Sequence, residues 1–590
     1  MQNTNELKSE PIPDNAKTAR ILSRSHRLHS LFGSVLQEER FFLVVSVVIG
    51  IFSGLAVVGF RLTIDRTSMH LLGPETSDSA LRLILAPALA GLVIGILVVH
   101  VFPRVTGSGV NQTKAALYVY NGYIPFRTAI GKFITAALAI GSGHSLGPED
   151  PSLQIGAGLA STLGRRLHLS RERMRLIAPV GAAAGLAAAF NAPISAVLFV
   201  IEEVIGRWSA GILGSVVLAA VSSVVVMRSF LGSQSLFSIP PVELIRPSEL
   251  IAYAALGIIG GTAAIVFSKG ITVLRPPLKA MPRWVRQFQP LIAGLLVGSI
   301  AALGAPQVMG AGYRAINQAI QGKFTWQMLG ILAGLKILST IASFVSGTPG
   351  GMFAPTLFIG AMLGASVGGV EHVLFPHLAV SMATYAMVGM GVLFAGFLRA
   401  PMTSVFMVLE VSGNYSIILP VIVANTFAYL ISRSLQPTPI FDLLTRQDGL
   451  ELPSMEEQRE ASVLRVEDAM GPVIGPVLED NISVQRASQQ LNGCSEEELL
   501  VRVDPAGWNV ISAREIRGLL DAGKGESSLH SVLPLRRTPH LHPDQPLETA
   551  LRYVDRWPMI PVVSRADVRK LEGVISKHQV LEHYRSLGDE

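Results

Sequence analysis

The sequence predicts an all-α polytopic membrane domain, built from two inverted-type repeats with broken helices, followed by a smaller C-terminal α/β domain. Three observations carry that expectation: long uncharged apolar runs, a pair of motifs that recurs about 200 positions later, and an abrupt change of composition near residue 445.

The apolar runs come first. Hydrophobic residues make up 49% of the 590 positions and charged residues only 15%, too apolar a balance for a soluble globular chain of this length. Uncharged runs occur at 41–60, 83–99, 208–227, 250–268, 287–313, 337–370 and 411–432. Crossing a hydrocarbon core of about 30 Å takes roughly 20 helical residues, so these runs read as spans. The first 40 residues are polar, with no short apolar segment ahead of a small-residue cleavage site, and no cleaved signal peptide is expected. This 1–40 segment carries Lys8, Lys17, Arg20, Arg24, Arg27 and Arg40. A loop expected around 164–175 carries Arg165, Arg166, Arg171, Arg173 and Arg175. The positive-inside rule puts both in the cytoplasm, and a plasma-membrane protein with both termini inside is expected.

Charge and cysteine narrow the function classes. The net charge of +6 comes from basic residues beside the membrane runs rather than from one aromatic-interleaved patch, which suits contact with a lipid bilayer and not with nucleic acid. The single cysteine, Cys494, leaves no disulfide framework or thiolate metal cluster within one chain. No nucleophile–base pair or metal-ligand cluster stands at a recognisable spacing, so neither an enzyme nor a metal site is expected.

The repeat is read directly. Pro151-Ser-Leu-Gln-Ile155-Gly156-Ala157 has a counterpart in Pro355-Thr-Leu-Phe-Ile359-Gly360-Ala361, 204 positions later. Ala192-Pro193, with Glu202 ten positions after the alanine, is matched 208 positions later by Ala400-Pro401 and Glu410. Order and spacing are shared, so two halves, about 41–230 and 248–435, are expected to enclose a site at their interface. Many apolar stretches are broken by Gly and Pro, and broken helices at membrane depth are tolerated where they line a cavity.

Three segments carry chemistry. Gly107-Ser108-Gly109-Val110-Asn111 leaves backbone N–H groups bare and adds a hydroxyl, so a helix starting there aims donors and its positive dipole end at an anion. Gly147-Pro148-Glu149-Asp150-Pro151 puts two carboxylates into an otherwise uncharged stretch broken only by His144. Ionisable groups at membrane depth are costly and point to function; a solvent-facing loop is the competing explanation. Gly350-Gly351-Met352-Phe353-Ala354-Pro355 offers a third set of bare N–H groups.

In that order these segments resemble the CLC family of chloride channels and chloride/proton antiporters, whose motifs are Gly-Ser-Gly-Ile-Pro, Gly-Lys/Arg-Glu-Gly-Pro and Gly-x-Phe-x-Pro, followed by a tyrosine at the last membrane helix. Gly181-Ala-Ala-Ala-Gly185, Phe190-Asn191-Ala192-Pro193, Glu202-Glu203 and Arg399-Ala400-Pro401 add to the likeness, which spans about 40–445. The resemblance implies that Ser108, flanked by Gly107 and Gly109, contacts chloride through its hydroxyl. It also implies that the N–H groups of Met352 and Phe353, after Gly351, donate to the anion. Glu149 falls on the gating glutamate, whose ionised carboxylate occupies the anion's own site until protonation makes it leave. Glu203 falls on the inner proton glutamate of the antiporters. Lys132 matches a basic residue that raises the local potential, with a snorkelling interface lysine as the alternative. Four positions depart from the pattern: Asn111 replaces the motif proline, Pro148 the basic residue and Asp150 the glycine, and Phe441 stands where the family tyrosine offers its hydroxyl.

The polar tail, 446–590, resembles a pair of CBS modules. Val466-Glu-Asp-Ala-Met470 reads as an opening strand and helix. Val503-Asp504-Pro-Ala-Gly507-Trp508-Asn-Val510-Ile511-Ser512 reads as strand, turn and strand, and Pro561–Val563 with Leu571–Ser576 repeats the pattern. Adenine nucleotide at this pair follows only by analogy, since no phosphate-cradling Gly-Lys-Ser/Thr motif is present; no cofactor is expected. The leading reading is a homodimeric chloride/proton antiporter with Glu149 and Glu203 as its proton-handling residues. A passive channel of the same fold, and a CBS-regulated sensor with vestigial transport, are the alternatives.

Overall fold

The computed structural model describes residues 15–73, 79–206, 210–233, 236–237, 249–375, 381–450, 452, 464–473, 475–491, 498–503, 507–532 and 538–586, without the side chains of 15–38, 210 and 586. Cys494, Arg207, Asp504 and the side chains of Lys8, Lys17, Arg20, Arg24 and Arg27 lie outside that description. The chain forms two compact units, Met1–Leu452 and Pro453–Glu590.

The first unit is helical. Its first half holds α1 (Asn15–Leu71), α2 (Ala80–Ile96), α3 (Val110–Tyr118), α4 (Phe126–Gly141), α5 (Glu149–Arg166), α6 (Arg171–Phe190), α7 (Pro193–Phe199) and α8 (Ala210–Leu231). Its second half holds α9 (Glu249–Ala280), α10 (Arg283–Arg286), α11 (Gln289–Ala302), α12 (Tyr313–Ile320), α13 (Trp326–Val345), α14 (Phe353–Leu374), α15 (Met382–Leu398), α16 (Pro401–Ser412) and α17 (Ile418–Leu435), and α18 (Ile440–Gln447) closes the unit. Among the described residues nine helices are long and apolar enough to cross a membrane. This is a multi-pass membrane protein.

The apolar runs located most spans but not all boundaries. The run 287–313 stops being helical after Ala302, and 337–370 is two helices separated by Ser346–Met352. The basic loop expected at 164–175 is only four residues long, because α5 runs to Arg166 and α6 starts at Arg171. Among its arginines, Arg165 lies over Tyr123 at 4.4 Å and Arg173 over Phe42 at 5.1 Å.

The two halves contact each other reciprocally. A Cβ on Gly91 of α2 would meet the Pro290 carbonyl of α11 at 2.3 Å, and one on Gly294 would meet the Pro87 carbonyl at 2.3 Å. Within the first half, Gly156 and Gly181 bring α5 and α6 to backbone contact, as Gly360 and Gly389 do for α14 and α15; small residues let membrane helices approach this closely. Asn191 and Arg399 end their helices at φ 57 and φ 61. The prolines at 193 and 401 then start α7 and α16, where a missing N–H costs nothing.

Each half caps a helix of the other. Glu202 accepts from the Thr403 N–H at 3.0 Å and its hydroxyl at 2.8 Å, while Glu410 accepts from the Ser195 N–H at 2.7 Å and from Ile194 N–H at 2.9 Å. A carboxylate on the orphan N–H groups of a first helical turn also meets the positive dipole end. The repeated glutamates thus hold α7 and α16 together.

The second unit contains α19 (Val466–Ala469), β1 (Leu478–Glu479), α20 (Val484–Gln490), β2 (Glu498–Val503), β3 (Gly507–Ser512), α21 (Ala513–Asp521), α22 (Leu529–Val532), α23 (Glu548–Leu551), β4 (Met559–Val563), β5 (Leu571–Ser576) and α24 (Lys577–Ser586). β2 pairs antiparallel with β3 and parallel with β1, and β4 pairs antiparallel with β5. Both expected strand pairs are present. The opening strand expected before 470 is not, since Val466–Ala469 forms one helical turn. Ser512 with Glu515, and Ser576 with Gln579 64 positions later, form matching boxes where a strand enters a helix. One core gathers Leu499, Val501, Ile511 and Ile516, and a second gathers Ile560, Val562, Ile575 and Val580.

Candidate functional site

The start of α5 and the start of α14 meet at the centre of the first unit. Gly147 and Gly351, 204 positions apart, exchange N–H···O bonds of 2.9 and 2.8 Å, so the two helices open from one symmetric bridge. Glu149 and Asp150 are entirely buried there, which excludes the solvent-facing loop. The Glu149 carboxylate folds back over Gly147 towards its own N–H and that of Ala354, and neither oxygen completes a well-formed hydrogen bond. Asp150 Oδ2 accepts from the Met352 N–H at 2.6 Å, and the carboxylate as a whole also faces the Phe353 N–H. The two amides that the resemblance assigns to the anion therefore already face a carboxylate of the chain.

Gly107, Ser108 and Gly109 form the expected turn into α3. Gly109 takes φ +116, and a Cβ there would strike Gln154 at 2.8 Å and the Asp150 carbonyl at 3.1 Å, so glycine is needed both for conformation and for closeness. Ser108 is buried, and its hydroxyl oxygen accepts from Val110 N–H at 3.3 Å. Lys132 is fully buried and donates to the Val105 and Gly107 carbonyls at 3.0 and 2.5 Å. It does not snorkel to an interface; it pins the turn before α3. Lys336, 204 positions later, does the same for the turn before α12 through Val308 and Gly310 at 2.9 and 2.7 Å. The charge of Lys132 acts on Asp150, and those of Lys336 and Arg61 act on Glu149.

Glu203 lies in a single π turn, Val200–Ile205, that continues α7; such turns often occur at functional positions. Its partner is Lys114, whose ammonium is 2.8 Å from Glu203 Oε1 and 2.9 Å from Asp442 Oδ1. Lys114 belongs to α3 and Asp442 to α18, so one buried cation joins the helix after Ser108, the Glu203 turn and the helix bearing Phe441. Phe441 is wholly buried, with its ring edge-on to Phe199 and Phe353 at centroid distances of 6.4 and 6.5 Å. Phe353 also meets Phe190 and Phe394. Pro148 precedes α5 as its N-cap, and Asn111 sits in the first turn of α3. A cavity of about 480 Å³ reaches Gly107, Asn111 and Gln154, and Arg104, Lys279 and Arg286 are among its walls.

Sequence reading missed Lys336, Lys114 and Asp442. Lys336 follows from applying the 204-residue offset to Lys132. Among the described residues no cluster of three His, Cys, Asp or Glu side chains is arranged to hold a metal ion.

The model of voltage-gated chloride channels matches residues 90–433, which includes every membrane-unit residue just described apart from Arg61, Phe441 and Asp442. The chain belongs to that family. Among its CLC relatives, a putative chloride channel protein of the ClcB-like kind from Ralstonia nicotianae is 30% identical over 425 residues, covering 70% of this chain and 99% of that protein. An H(+)/Cl(−) exchange transporter ClcA from Vibrio campbellii is 31% identical over 416 residues, covering 68% of this chain and 88% of that one. Among solved CLC structures, a slow cyanobacterial Cl−/H+ antiporter superposes with a TM-score of 0.64 at 25% identity, over 71% of this chain and 99% of that one. A eukaryotic CLC transporter shares the fold at a TM-score of 0.59 and 20% identity, over 92% of this chain and 98% of that one.

Proposed function

We propose that this protein exchanges chloride for protons across a membrane. The observation that carries the reading is the pair of buried acids at two edges of one aromatic cluster. Glu149 lies against the start of α14 beside Phe353, and Glu203 lies one turn beyond Phe199, whose ring meets that of Phe353 at 4.8 Å. An ionised Glu149 competes with a small anion for N–H donors and, once protonated, gives them up. Glu203, near the far end of α7, supplies protons, and water bridges the gap that no side chain spans. Ser108, with Gly107 and Gly109, and the amides after Gly351 are the anion contacts in this reading. The named activities of the ClcA relative and of the cyanobacterial antiporter support it.

The finer assignments belong to the same proposal: a homodimer in the plasma membrane, cytoplasmic termini, repeats of inverted topology, and a CBS pair in the tail. The reciprocal contacts of the halves favour the repeat assignment, and the twin capping boxes 64 positions apart favour a paired tail. One observation favours the passive-channel alternative, namely the clamp of Lys114 on Glu203. Purified full-length protein in liposomes, with chloride efflux and proton uptake recorded together, decides between them. In an exchanger, chloride leaving down its gradient drives protons inward and uphill, and Glu203→Val stops the protons while chloride still moves. Chloride flux with no proton movement in the unmodified protein rejects exchange.

A further inference from the structure

The family pattern has one carboxylate at the start of α5, whereas this chain has two, and the second does not point away. Asp150 is entirely buried, its Oδ2 rests on the Met352 N–H at 2.6 Å, and its Oδ1 is buried without a hydrogen-bond partner. A helix start whose N–H is taken by one oxygen of a buried carboxylate, while the other oxygen has no partner, is a filled anion site with capacity left over. The surroundings are fitted to both acids. A Cβ on Gly351 would stand 2.5 Å from Asp150 Oδ2, and a Cβ on Gly147 would stand 2.3 Å from Glu149 Oε2. Lys132 from α4 faces Asp150, and Lys336 from α13 with Arg61 from α1 face Glu149; α3 is represented at this point by the turn at Gly109. Two tethered anions thus stand near Lys132 and Lys336, two buried cations that their own carbonyl contacts hold in place.

We infer that Asp150 is a second tethered anion of the transport pathway, occupying the amide site at the start of α14 as Glu149 does at the start of α5. The inference rests on the anion-transport reading for its kinetic consequence but not for its binding consequence. An anion reaches the Met352 and Phe353 amides only when the Asp150 carboxylate has left or taken up a proton on a carboxyl oxygen. Two carboxylates compete while ionised and yield when neutral. Chloride flux therefore falls as pH rises, with an order in protons approaching two rather than one.

The test uses the full-length protein, unmodified and as Asp150→Gly, Asp150→Asn and Glu149→Gln. Calorimetric titration with chloride at neutral pH is expected to show at least tenfold tighter binding, or one additional chloride, in Asp150→Gly. In liposomes, the slope of log flux against pH is expected to drop from near two to near one in both Asp150 variants. Asp150→Asn keeps the shape of the side chain, so it carries the kinetic test if Asp150→Gly fails to fold. Unchanged chloride binding together with an unchanged slope makes Asp150 a helix cap and overturns the inference. Absence of flux from every protein, Glu149→Gln included, rejects the transport reading, and the Asp150→Gly titration alone then decides whether the amide site was filled.

Discussion

Replacing Lys114 by methionine isolates a buried cluster of three charges. The ammonium stands 2.8 Å from Glu203 and 2.9 Å from Asp442, and the side chains are only 3%, 3% and 6% exposed. Water therefore does little to compensate any of the three. Methionine keeps the length and apolar stem but leaves two carboxylates buried near each other. Breaking a buried pair by removing one partner costs about 3–5 kcal/mol, roughly two to four powers of ten in the folding equilibrium. Because a lone buried carboxylate can recover part of that cost by binding a proton, the loss should be greatest at neutral and alkaline pH. Adding Glu203→Gln and Asp442→Asn to Lys114→Met should restore most of it, since three neutral groups leave no uncompensated charge. Thermal unfolding of detergent-solubilised protein, followed by tryptophan fluorescence, reads both effects. A Lys114→Met protein that unfolds at the temperature of the unmodified one, across the pH range, refutes the clamp.

Three further outcomes follow from the same structure. Glu149→Gln should leave chloride flux present, less dependent on pH and uncoupled from protons; proton-coupled flux like that of the unmodified protein removes Glu149 from the gate. Phe441→Tyr adds a hydroxyl within the aromatic cluster and should tighten chloride binding by about 0.5–1.5 kcal/mol, the net value of one hydrogen bond; calorimetry showing no gain means that position 441 does not face the anion. In the second unit Trp508 is buried and its indole N–H donates to the Val568 carbonyl at 2.9 Å, so Trp508→Ala should cost about 3–5 kcal/mol and expose that unit of the full chain to trypsin, while an unchanged digestion pattern contradicts the packing.

What the sequence disclosed about the fold depended on which helices face lipid. Runs such as 41–60 and 250–268 need apolar side chains on their lipid faces, so hydropathy found them. The α6 helix was not among the runs, because it opens with charged residues and is then mostly alanine and glycine, packed among α1, α5 and α8. Hydropathy also overran the ends of α11 and α13, where composition stays apolar while Gly304 and Gly347 turn the backbone to φ +112 and φ +80. A helix end of that kind is written in backbone geometry rather than in polarity.

The site was legible where chemistry is local and hidden where charges pair across the chain. Glycine beside a carboxylate at membrane depth announced Glu149 and Asp150, and the repeat offset already contained Lys336. Nothing local announced Lys114, whose partners lie 89 and 328 positions away. Buried charges must be compensated, and the compensation here has a pattern. Lys132, Lys336 and Arg61 balance Glu149 and Asp150 from α4, α13 and α1. Glu203 and Asp442 share Lys114, and Glu202 and Glu410 rest on helix starts. The acids that cap helices have donors on both carboxylate oxygens. Among the described acids, Glu149 and Asp150 combine complete burial with oxygens left unsatisfied, and a carboxylate so placed gains most from a proton or from yielding its place to a mobile anion.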